Sequence, residues 1–284
     1  MKILTTFVIL FCLLFCSNYL ASAQTSRFPA CVWEPGGANN GRTLILIRGL
    51  WTKADTVDES REFWSTMIPS ITNSYSHIIF FSYDRNSSES YSRKSTYGNI
   101  WNHHVPLLHD LIESCRSEGF ESFDIIGHSL GGVVASEYIK QYGLNGGQAG
   151  VVKNVITLSS PVNGTKPIEV LRSIPHLLIN APRFMIDVAT SSAMTNIVFL
   201  SFGDTVAINQ QMAANLGEKG ITLFSIANAQ DLMIAPRDAV IPAHGTVLDL
   251  GIDPTSEDSF RRLGHHQSVK SLEVNDLILS VIAN

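Results

Sequence analysis

The stretch that most constrains how this chain can fold is SFDIIGHSLGGVVA at residues 122–135. Its apolar first half predicts a strand over Ser122–Ile126, and its apolar second half predicts a helix over Leu130–Tyr142. Ser129 therefore lies at the junction of a strand and a helix, which is the position of a nucleophile elbow. So sharp a turn strains the backbone of the serine and lifts its hydroxyl clear of the sheet.

The glycines around Ser129 fit this geometry. Side chains at Gly127 and Gly131 would collide with neighbouring backbone, and Gly132 allows the helix to pack closely. The free N–H groups at the start of the helix then point at the site, where they can hold developing negative charge. A Gly-x-Ser-x-Gly pattern alone is weak, so it is the flanking strand and helix that indicate a nucleophilic serine.

The rest of the chain alternates strand and helix signals, which predicts an α/β fold with a mostly parallel sheet and helices on both faces. A helix is predicted over Val105–Arg116, because its apolar residues recur at a spacing of three and four. With no internal repeat and no long linker, residues 24–284 are predicted to form one domain. The further strands are predicted over Thr43–Ile47, Ser76–Tyr83, Asn154–Leu158 and Ile221–Ala227.

Two segments interrupt this alternation. Ser87–Gly98 is polar and rich in turn residues, which predicts a surface loop. Pro161–Leu200 is apolar, but internal prolines divide it into pieces too short for a strand and a helix. We predict a cap insertion over residues 161–220, with short helices that line an acyl pocket. An additional core-packing subdomain is an equally good interpretation, and the two are compatible.

Three stretches resemble the α/β-hydrolase superfamily, in particular its lipases and lipase-like esterases. The first is the serine turn itself, FDIIGHSLGGVVA. LILIRGLW at 44–51 resembles the strand and oxyanion loop of these enzymes, although Arg48 stands where they more often have histidine. VITLSSPVNGT at 155–165 resembles their strand that ends in a Pro-x-x-Gly-Ser/Thr turn. Glycosylphosphatidylinositol inositol-deacylase-like hydrolases share these features. The resemblance implies the α/β-hydrolase fold and a Ser-Asp-His triad.

The resemblance also implies the chain order of the triad, which is serine, then an acid, then a histidine near the C-terminus. Asp231 is the preferred acid, because it follows the strand predicted to end at Ala227 and resembles the start of the Asp-x-x-Val-Pro turn of lipases. Asp204 is the second choice, but it follows the cap segment. Asp249 and Asp253 lie further on and are interpreted as solvated turn residues.

Two adjacent histidines remain as candidates for the general base, His265 and His266. Gly264 allows close backbone approach before His265, whereas Val269 follows His266 at the spacing of a lipase-like entry into the last apolar helix. We therefore prefer His266 narrowly and expect His265 to be exposed. The other histidines are set aside by chain order or context: His77, His103, His104, His109, His128, His176 and His244.

The oxyanion hole implied by the resemblance consists of two backbone N–H groups, from Leu50 and Leu130. Because only backbone groups are needed, the side chains at these positions carry little information. Arg48 is interpreted as a member of an ion pair, at the surface or behind the site, and not as a catalytic group.

The first 23 residues have the pattern of a cleavable secretory signal, with one lysine, an apolar run from Ile3 to Cys16, and a final Ala-Ser-Ala. This run of about 14 residues is shorter than the ~20 that span a bilayer, which disfavours a retained anchor. We expect a secreted or periplasmic protein that begins near Gln24. Cys31 and Cys115 are then the only cysteines of the mature chain, and whether they pair is open.

Composition narrows the function classes. A formal net charge of -5 without long basic runs disfavours nucleic-acid binding, and no Cys-x-x-Cys or His-Cys cluster suggests a zinc site. We predict a serine hydrolase that needs no metal or organic cofactor and cleaves carboxylic esters of hydrophobic acyl groups, including esters at a lipid surface. The alternatives are a lipid-anchor deacylase, a thioesterase, an acyltransferase and a non-catalytic binding protein of the same fold.

Overall fold

The computed structural model of the chain describes residues 31–50, 57–84, 96–143, 150–165, 175, 191–201 and 204–283. The proposed signal segment of residues 1–23 lies outside these ranges. So do most of the loop predicted at Ser87–Gly98 and much of the predicted cap.

A seven-stranded sheet forms the centre of the described structure. The strands are β1 (Glu34–Pro35), β2 (Arg42–Ile47), β3 (His77–Phe80), β4 (Ser122–His128), β5 (Val152–Leu158), β6 (Thr222–Asn228) and β7 (Gly245–Leu248). Their spatial order is β1-β3-β2-β4-β5-β6-β7, and among these strands only the β1–β3 pair is antiparallel. From β2 the chain continues to β3 on one side of β2 and then crosses to β4 on its other side. In sheets of this kind, ligands bind at the carboxyl ends of the strands near such a reversal of strand order.

Helices cover both faces of the sheet, as an α/β fold requires. They are α1 (Val57–Phe63), α2 (Ile68–Ile71), α3 (Val105–Ser117), α4 (Leu130–Tyr138), α5 (Ser192–Leu200), α6 (Thr205–Gly217), α7 (Pro236–Ala239), α8 (Ser259–Arg262), α9 (Gln267–Lys270) and α10 (Leu272–Ile282). A 3-10 turn spans Thr72–Ser74, and π-helical turns span Ile100–His104 and Ile139–Gly143. The predicted α/β-hydrolase fold, with a mostly parallel sheet between helices, is confirmed.

Every strand predicted from the sequence occurs in the sheet, with ends that differ by at most three residues. The two edge strands, β1 and β7, were not predicted, because they are only two and four residues long. The helix predicted over Leu130–Tyr142 leaves the α conformation at Tyr138 and continues as a π-helical turn.

Alternate residues of the central strands face opposite helical layers. In β2, Ile45 and Ile47 belong to the hydrophobic cluster that includes α3 and α4. Leu44 and Leu46 belong to a second cluster, which includes Trp64 and residues of α10. Because side chains alternate across a strand, a strand covered on both faces must be apolar at successive positions. This explains why the central strands are continuous apolar runs in the sequence.

The structure describes part of the cap predicted over residues 161–220. In α5, Asn196 Oδ1 accepts a hydrogen bond of 2.8 Å from the Ile100 N–H, which joins the helix to the π-helical turn before α3. In α6, Met212 and Leu216 are buried in the same cluster as α3 and α4. Because α6 belongs to the helical layer of the domain and packs on β6, only the residues before α6 remain predicted as a cap.

A disulfide joins Cys31, near the start of the described chain, to Cys115 in the last turn of α3. The two cysteines are separated by 84 residues in sequence, and both are buried. The pairing that the sequence left open therefore occurs. In the described ranges, no helix combines the length and the apolar character needed to cross a membrane.

Candidate active site

Ser129 lies in the turn between β4 and α4, and its backbone is strained. Its φ of 55° and ψ of -124° are rarely adopted by residues with a side chain. The turn is held by neighbouring backbone, since the Ser129 N–H donates to the Leu158 carbonyl at 2.9 Å. A β-carbon on Gly127 would lie 2.5 Å from the backbone of Gly131, and one on Gly131 would lie 2.2 Å from the Ile47 carbonyl oxygen. Only glycine fits at these two positions.

The hydroxyl of Ser129 is one end of a chain of hydrogen bonds. Its Oγ lies 2.9 Å from His265 Nε2, and His265 Nδ1 lies 2.7 Å from Asp231 Oδ2. The histidine and aspartate side chains are only 3% and 1% exposed. When the proton is on Nδ1, the Nδ1–H group donates a hydrogen bond to the carboxylate, and Nε2 faces the hydroxyl as an acceptor. The arrangement can therefore remove the proton of Ser129.

Asp231 is oriented by its own turn after β6. Its second oxygen, Oδ1, accepts hydrogen bonds from the N–H groups of Met233 at 2.8 Å and Ile234 at 3.0 Å. These bonds leave Oδ2 for His265 and fix the direction of the carboxylate. Asp204, the second choice for the acid, instead caps α6 by accepting an N–H of its first turn.

His266, the histidine preferred from the sequence as the base, is not the one that contacts the serine. Its Nδ1 lies 2.7 Å from Asp258 Oδ2, and its ring packs against Phe63 and Phe260 at centroid distances of 5.1 and 4.9 Å. The sequence pointed to the wrong ring because the spacing before the last helix does not reveal that His266 packs against Phe63 and Phe260 and bonds to Asp258. The expectation that His265 is exposed was also wrong, since it is 2% exposed.

Burial lowers the pKa values of two histidines behind the serine, His266 and His128. Burial lowers the pKa of His266 and outweighs the opposing effect of Asp258. Burial also lowers the pKa of His128 far below its ordinary value, and the neighbouring His265 and His266 lower it further. His128 Nε2 donates to the His265 carbonyl oxygen at 3.1 Å. It supports the backbone of the loop that carries His265.

Asp258 has an environment that keeps it ionised. Burial alone would raise its pKa, but the hydrogen bond and charge of His266, with two backbone N–H groups, lower the pKa to about 2. A second carboxylate–histidine pair therefore lies beside the Asp231–His265 pair. It has no contact with the hydroxyl of Ser129 and holds the turn before α9.

The loop after β2 lies directly against Ser129. A β-carbon on Gly49 would lie 2.6 Å from Ser129 Cβ and 3.1 Å from its Oγ, so a larger residue would displace the serine. The buried Tyr83 donates its hydroxyl to the Arg48 carbonyl at 2.7 Å, which holds this loop. Burial raises the pKa of Tyr83, so its hydroxyl stays protonated as a donor.

The two residues predicted to form the oxyanion hole are chain neighbours of the serine or of the loop that touches it. Leu130 is the first residue of α4, where a backbone N–H has no partner within the helix. Leu50 follows Gly49 in the loop that touches Ser129, and both leucine side chains are buried. The side chain of Arg48 is only 1% exposed, so any ion pair that it forms is not at the surface.

Sequence reasoning missed three buried or half-buried side chains that hold the site, Tyr83, Asn228 and Asp258. Each contacts the loops that carry the serine, the acid or the histidine. No spacing rule marks such residues, and the only local signal is that Asn228 ends the strand before Asp231. Among the residues that the structure describes, no group of three or more His, Cys, Asp or Glu residues is placed to hold a metal.

The sequence of residues 39–229 matches a family model described as PGAP1-like alpha/beta domain. The chain belongs to this family. No protein among those with curated descriptions matches this PGAP1-like sequence.

Solved α/β-hydrolases share the fold of this PGAP1-like domain. A carboxylesterase of the thaumarchaeon Nitrososphaera gargenis is 18% identical with a TM-score of 0.51, over 89% of this chain and 93% of that one. A lipase-esterase related protein of Clostridium acetobutylicum is 12% identical with a TM-score of 0.53, over 89% and 98%. A membrane phospholipase A, described as a bacterial virulence factor, is 14% identical with a TM-score of 0.50, over 88% and 81%. At these identities the likeness shows the fold alone, which is the α/β-hydrolase fold that the sequence predicted.

Proposed function

We propose that this PGAP1-like domain is a serine hydrolase that cleaves carboxylic esters through an acyl-enzyme. The observation that carries the proposal is the continuous path from Ser129 Oγ through His265 to Asp231, with distances of 2.9 and 2.7 Å. A serine hydroxyl becomes a strong nucleophile only when a base takes its proton and a third group orients the base. A non-catalytic binding protein of this fold would have no need for a strained serine, a buried histidine and a buried carboxylate in this order.

In the proposed reaction, Ser129 Oγ attacks the ester carbonyl carbon while its proton moves to His265 Nε2. Asp231 stabilises the imidazolium that forms, and the N–H groups of Leu130 and Leu50 stabilise the negative oxygen of the tetrahedral intermediate. The C–O bond to the alcohol then breaks, and the alcohol leaves with the proton from His265. Water attacks the acyl-enzyme with His265 as base, which releases the acid and restores the serine.

We further propose that the substrates have hydrophobic acyl groups and that the protein is secreted. The apolar content of the predicted cap and the lipase-like and phospholipase-like folds named above support the first part. The signal-like first 23 residues and the Cys31–Cys115 disulfide support the second, because disulfides persist in oxidising compartments. A lipid-anchor deacylase would use the same chemistry on a different alcohol.

The test is hydrolysis of a series of esters of increasing acyl length by the wild type, Ser129→Ala and Ser159→Ala. Ser159 is a matched control, because it also directly follows a strand, has a positive φ of 45° and is buried. We expect activity in the wild type and Ser159→Ala, none in Ser129→Ala, and labelling of Ser129 alone by a fluorophosphonate. Labelling at Ser159, or hydrolysis by folded Ser129→Ala, would refute the proposal.

A further inference from the structure

Asn228, the last residue of β6, is fully buried, and its side-chain amide uses its whole hydrogen-bonding capacity. Nδ2 donates to the carbonyl oxygens of Gly264 at 2.8 Å and Gly251 at 2.9 Å. Oδ1 accepts from the N–H groups of Gln230 and Leu250, both at 3.1 Å. One side chain therefore joins three separate loops: the loop after β6, the loop after β7 and the loop before α9.

Asparagine is the residue type that satisfies these four partners. A primary amide offers two donors and an acceptor oxygen with two lone pairs, and two carbonyls and two N–H groups surround Asn228. Aspartate at this position would have no donor and would face two carbonyl oxygens with a negative charge. An apolar residue of the same size would remove the partner of four backbone groups, one buried and three partly buried, at a cost in free energy.

Two of the loops that Asn228 joins carry the proposed acid and base. Gln230, whose N–H binds Oδ1, directly precedes Asp231, and Gly264, whose carbonyl binds Nδ2, directly precedes His265. The amide thus holds the backbone on the N-terminal side of both residues. The 2.7 Å contact between Asp231 and His265 depends on the distance between these loops.

The same two loops also touch each other directly. Gly264 has a φ of 76°, and a β-carbon there would lie 2.5 Å from the Gln230 carbonyl oxygen. The Leu232 N–H donates to the Leu263 carbonyl at 2.9 Å. The two loops are therefore held together by these backbone contacts as well as by the amide. A change at Asn228 or Gly264 should alter the distance between the loops.

We propose that Asn228 is a positioning residue that sets the distance between the acid loop and the base loop. The proposal rests on the serine hydrolase function proposed above. Asn228 acts through the backbone groups that it binds and does not contact the substrate. Its replacement should therefore lower the rate of the chemical step more than the binding of the ester. A displacement of about 1 Å in a catalytic group is enough to lower a rate by roughly 100-fold.

The first test compares Asn228→Asp with Asn275→Asp. Asn275 is a matched control, because it is also a buried amide, 1% exposed, whose Nδ2 donates to the Thr66 carbonyl at 3.1 Å, and it lies in α10. With a short-chain ester, we expect Asn228→Asp to lower kcat by about 10- to 100-fold with KM nearly unchanged. Asn275→Asp should lower stability but keep kcat.

A spectroscopic measurement separates this inference from the proposed function. The proton that His265 shares with Asp231 should give a far-downfield ¹H NMR signal in the wild type, with or without a substrate. We expect it to be lost or shifted in Asn228→Asp and kept in Asn275→Asp. If the wild type hydrolyses no ester, the proposed function fails and the signal still tests the positioning. If the wild type is active and Asn228→Asp keeps both kcat and the signal, the positioning role is refuted.

If Asn228→Asp does not fold, a second pair of variants tests whether the spacing of the two loops controls kcat. Gly264→Ala forces a β-carbon against the Gln230 carbonyl, whereas Gly220→Ala imposes nearly the same backbone strain, at φ 73° against 76°, with no atom within 4 Å. We expect kcat to fall at least about tenfold in Gly264→Ala and to stay within about twofold of the wild type in Gly220→Ala. Equal kcat values in the two folded variants would overturn the inference.

Discussion

Replacement of each of the two adjacent histidines by glutamine tests which of them is the base. Glutamine is close to histidine in length and keeps a hydrogen-bond donor and acceptor, but it cannot take up a proton at neutral pH. In His265→Gln, the hydroxyl of Ser129 loses the acceptor that lies 2.9 Å from it. In His266→Gln, this contact remains, and the changes are in the bond to Asp258 and the ring packing against Phe63 and Phe260.

The kcat values of the two variants should differ by orders of magnitude. Loss of the histidine from a serine triad lowers kcat by roughly 10⁴- to 10⁶-fold, which corresponds to about 5–8 kcal/mol of transition-state stabilisation. His266→Gln removes a hydrogen bond to a carboxylate, but water reaches Asp258, whose side chain is 34% exposed. We therefore expect a loss of about 1–2 kcal/mol in the free energy of unfolding and a change in kcat of less than about tenfold.

The assay is initial-rate hydrolysis of a short-chain ester, with urea unfolding of each variant to establish that it is folded. Ser129→Ala gives the background rate. An active His265→Gln with an inactive, folded His266→Gln would reverse the assignment of the base. Activity in both variants would show that the hydrogen-bonded triad does not catalyse the reaction.

Loss of the disulfide in the double variant Cys31→Ser/Cys115→Ser should lower the free energy of unfolding by about 2–4 kcal/mol, because the bond closes a loop with a sequence separation of 84; equal urea midpoints would contradict this. Asp124→Asn should cost about 3–5 kcal/mol, because it removes the charge of a buried carboxylate that pairs with Arg42 at 2.5 Å. Since this contact is at the start of β4, kcat should be unchanged, and a parallel loss of kcat would argue against a purely structural role. Burial lowers the pKa of His104 to about 3, so its contribution to stability is present above about pH 6.5 and is lost as the pH falls from there. His104→Gln should reduce the pH dependence of unfolding between pH 6.5 and 5 by at most about 1.4 kcal/mol per pH unit, and an unchanged slope would contradict the reasoning.

Features that depend on neighbouring residues in the chain could be predicted from the sequence. The turn at Ser129 follows from an apolar strand, closely spaced glycines and an apolar helix within 14 residues. The central strands were found because burial on both faces requires apolar side chains at successive positions. Asp231 could be proposed as the acid because its carboxylate binds N–H groups two and three residues ahead, a local turn with a recognisable pattern.

The choice between His265 and His266 depended on residues that are distant in sequence. The side chains of adjacent residues point in different directions, and which of them reaches Ser129, 136 residues earlier, is set by the packing around both. Phe63, from α1, and Asp258 hold the His266 ring away from the serine. No pattern within the last loop contains that information.

The short edge strands and the contacts of Asn228 were decided in the same way. β1 and β7 are too short to show a periodic pattern and form by pairing with β3 and β6. Asn228 binds groups that are 23 and 36 residues away, which become neighbours only when β6, β7 and the loop before α9 are assembled. The sequence alone thus indicated the proposed nucleophile, the proposed acid and the order of the central strands and helices along the chain, because these follow from local backbone geometry and burial. Which of the two histidines contacts Ser129, and how the loops are held, were decided by the tertiary structure, because both depend on contacts between distant segments.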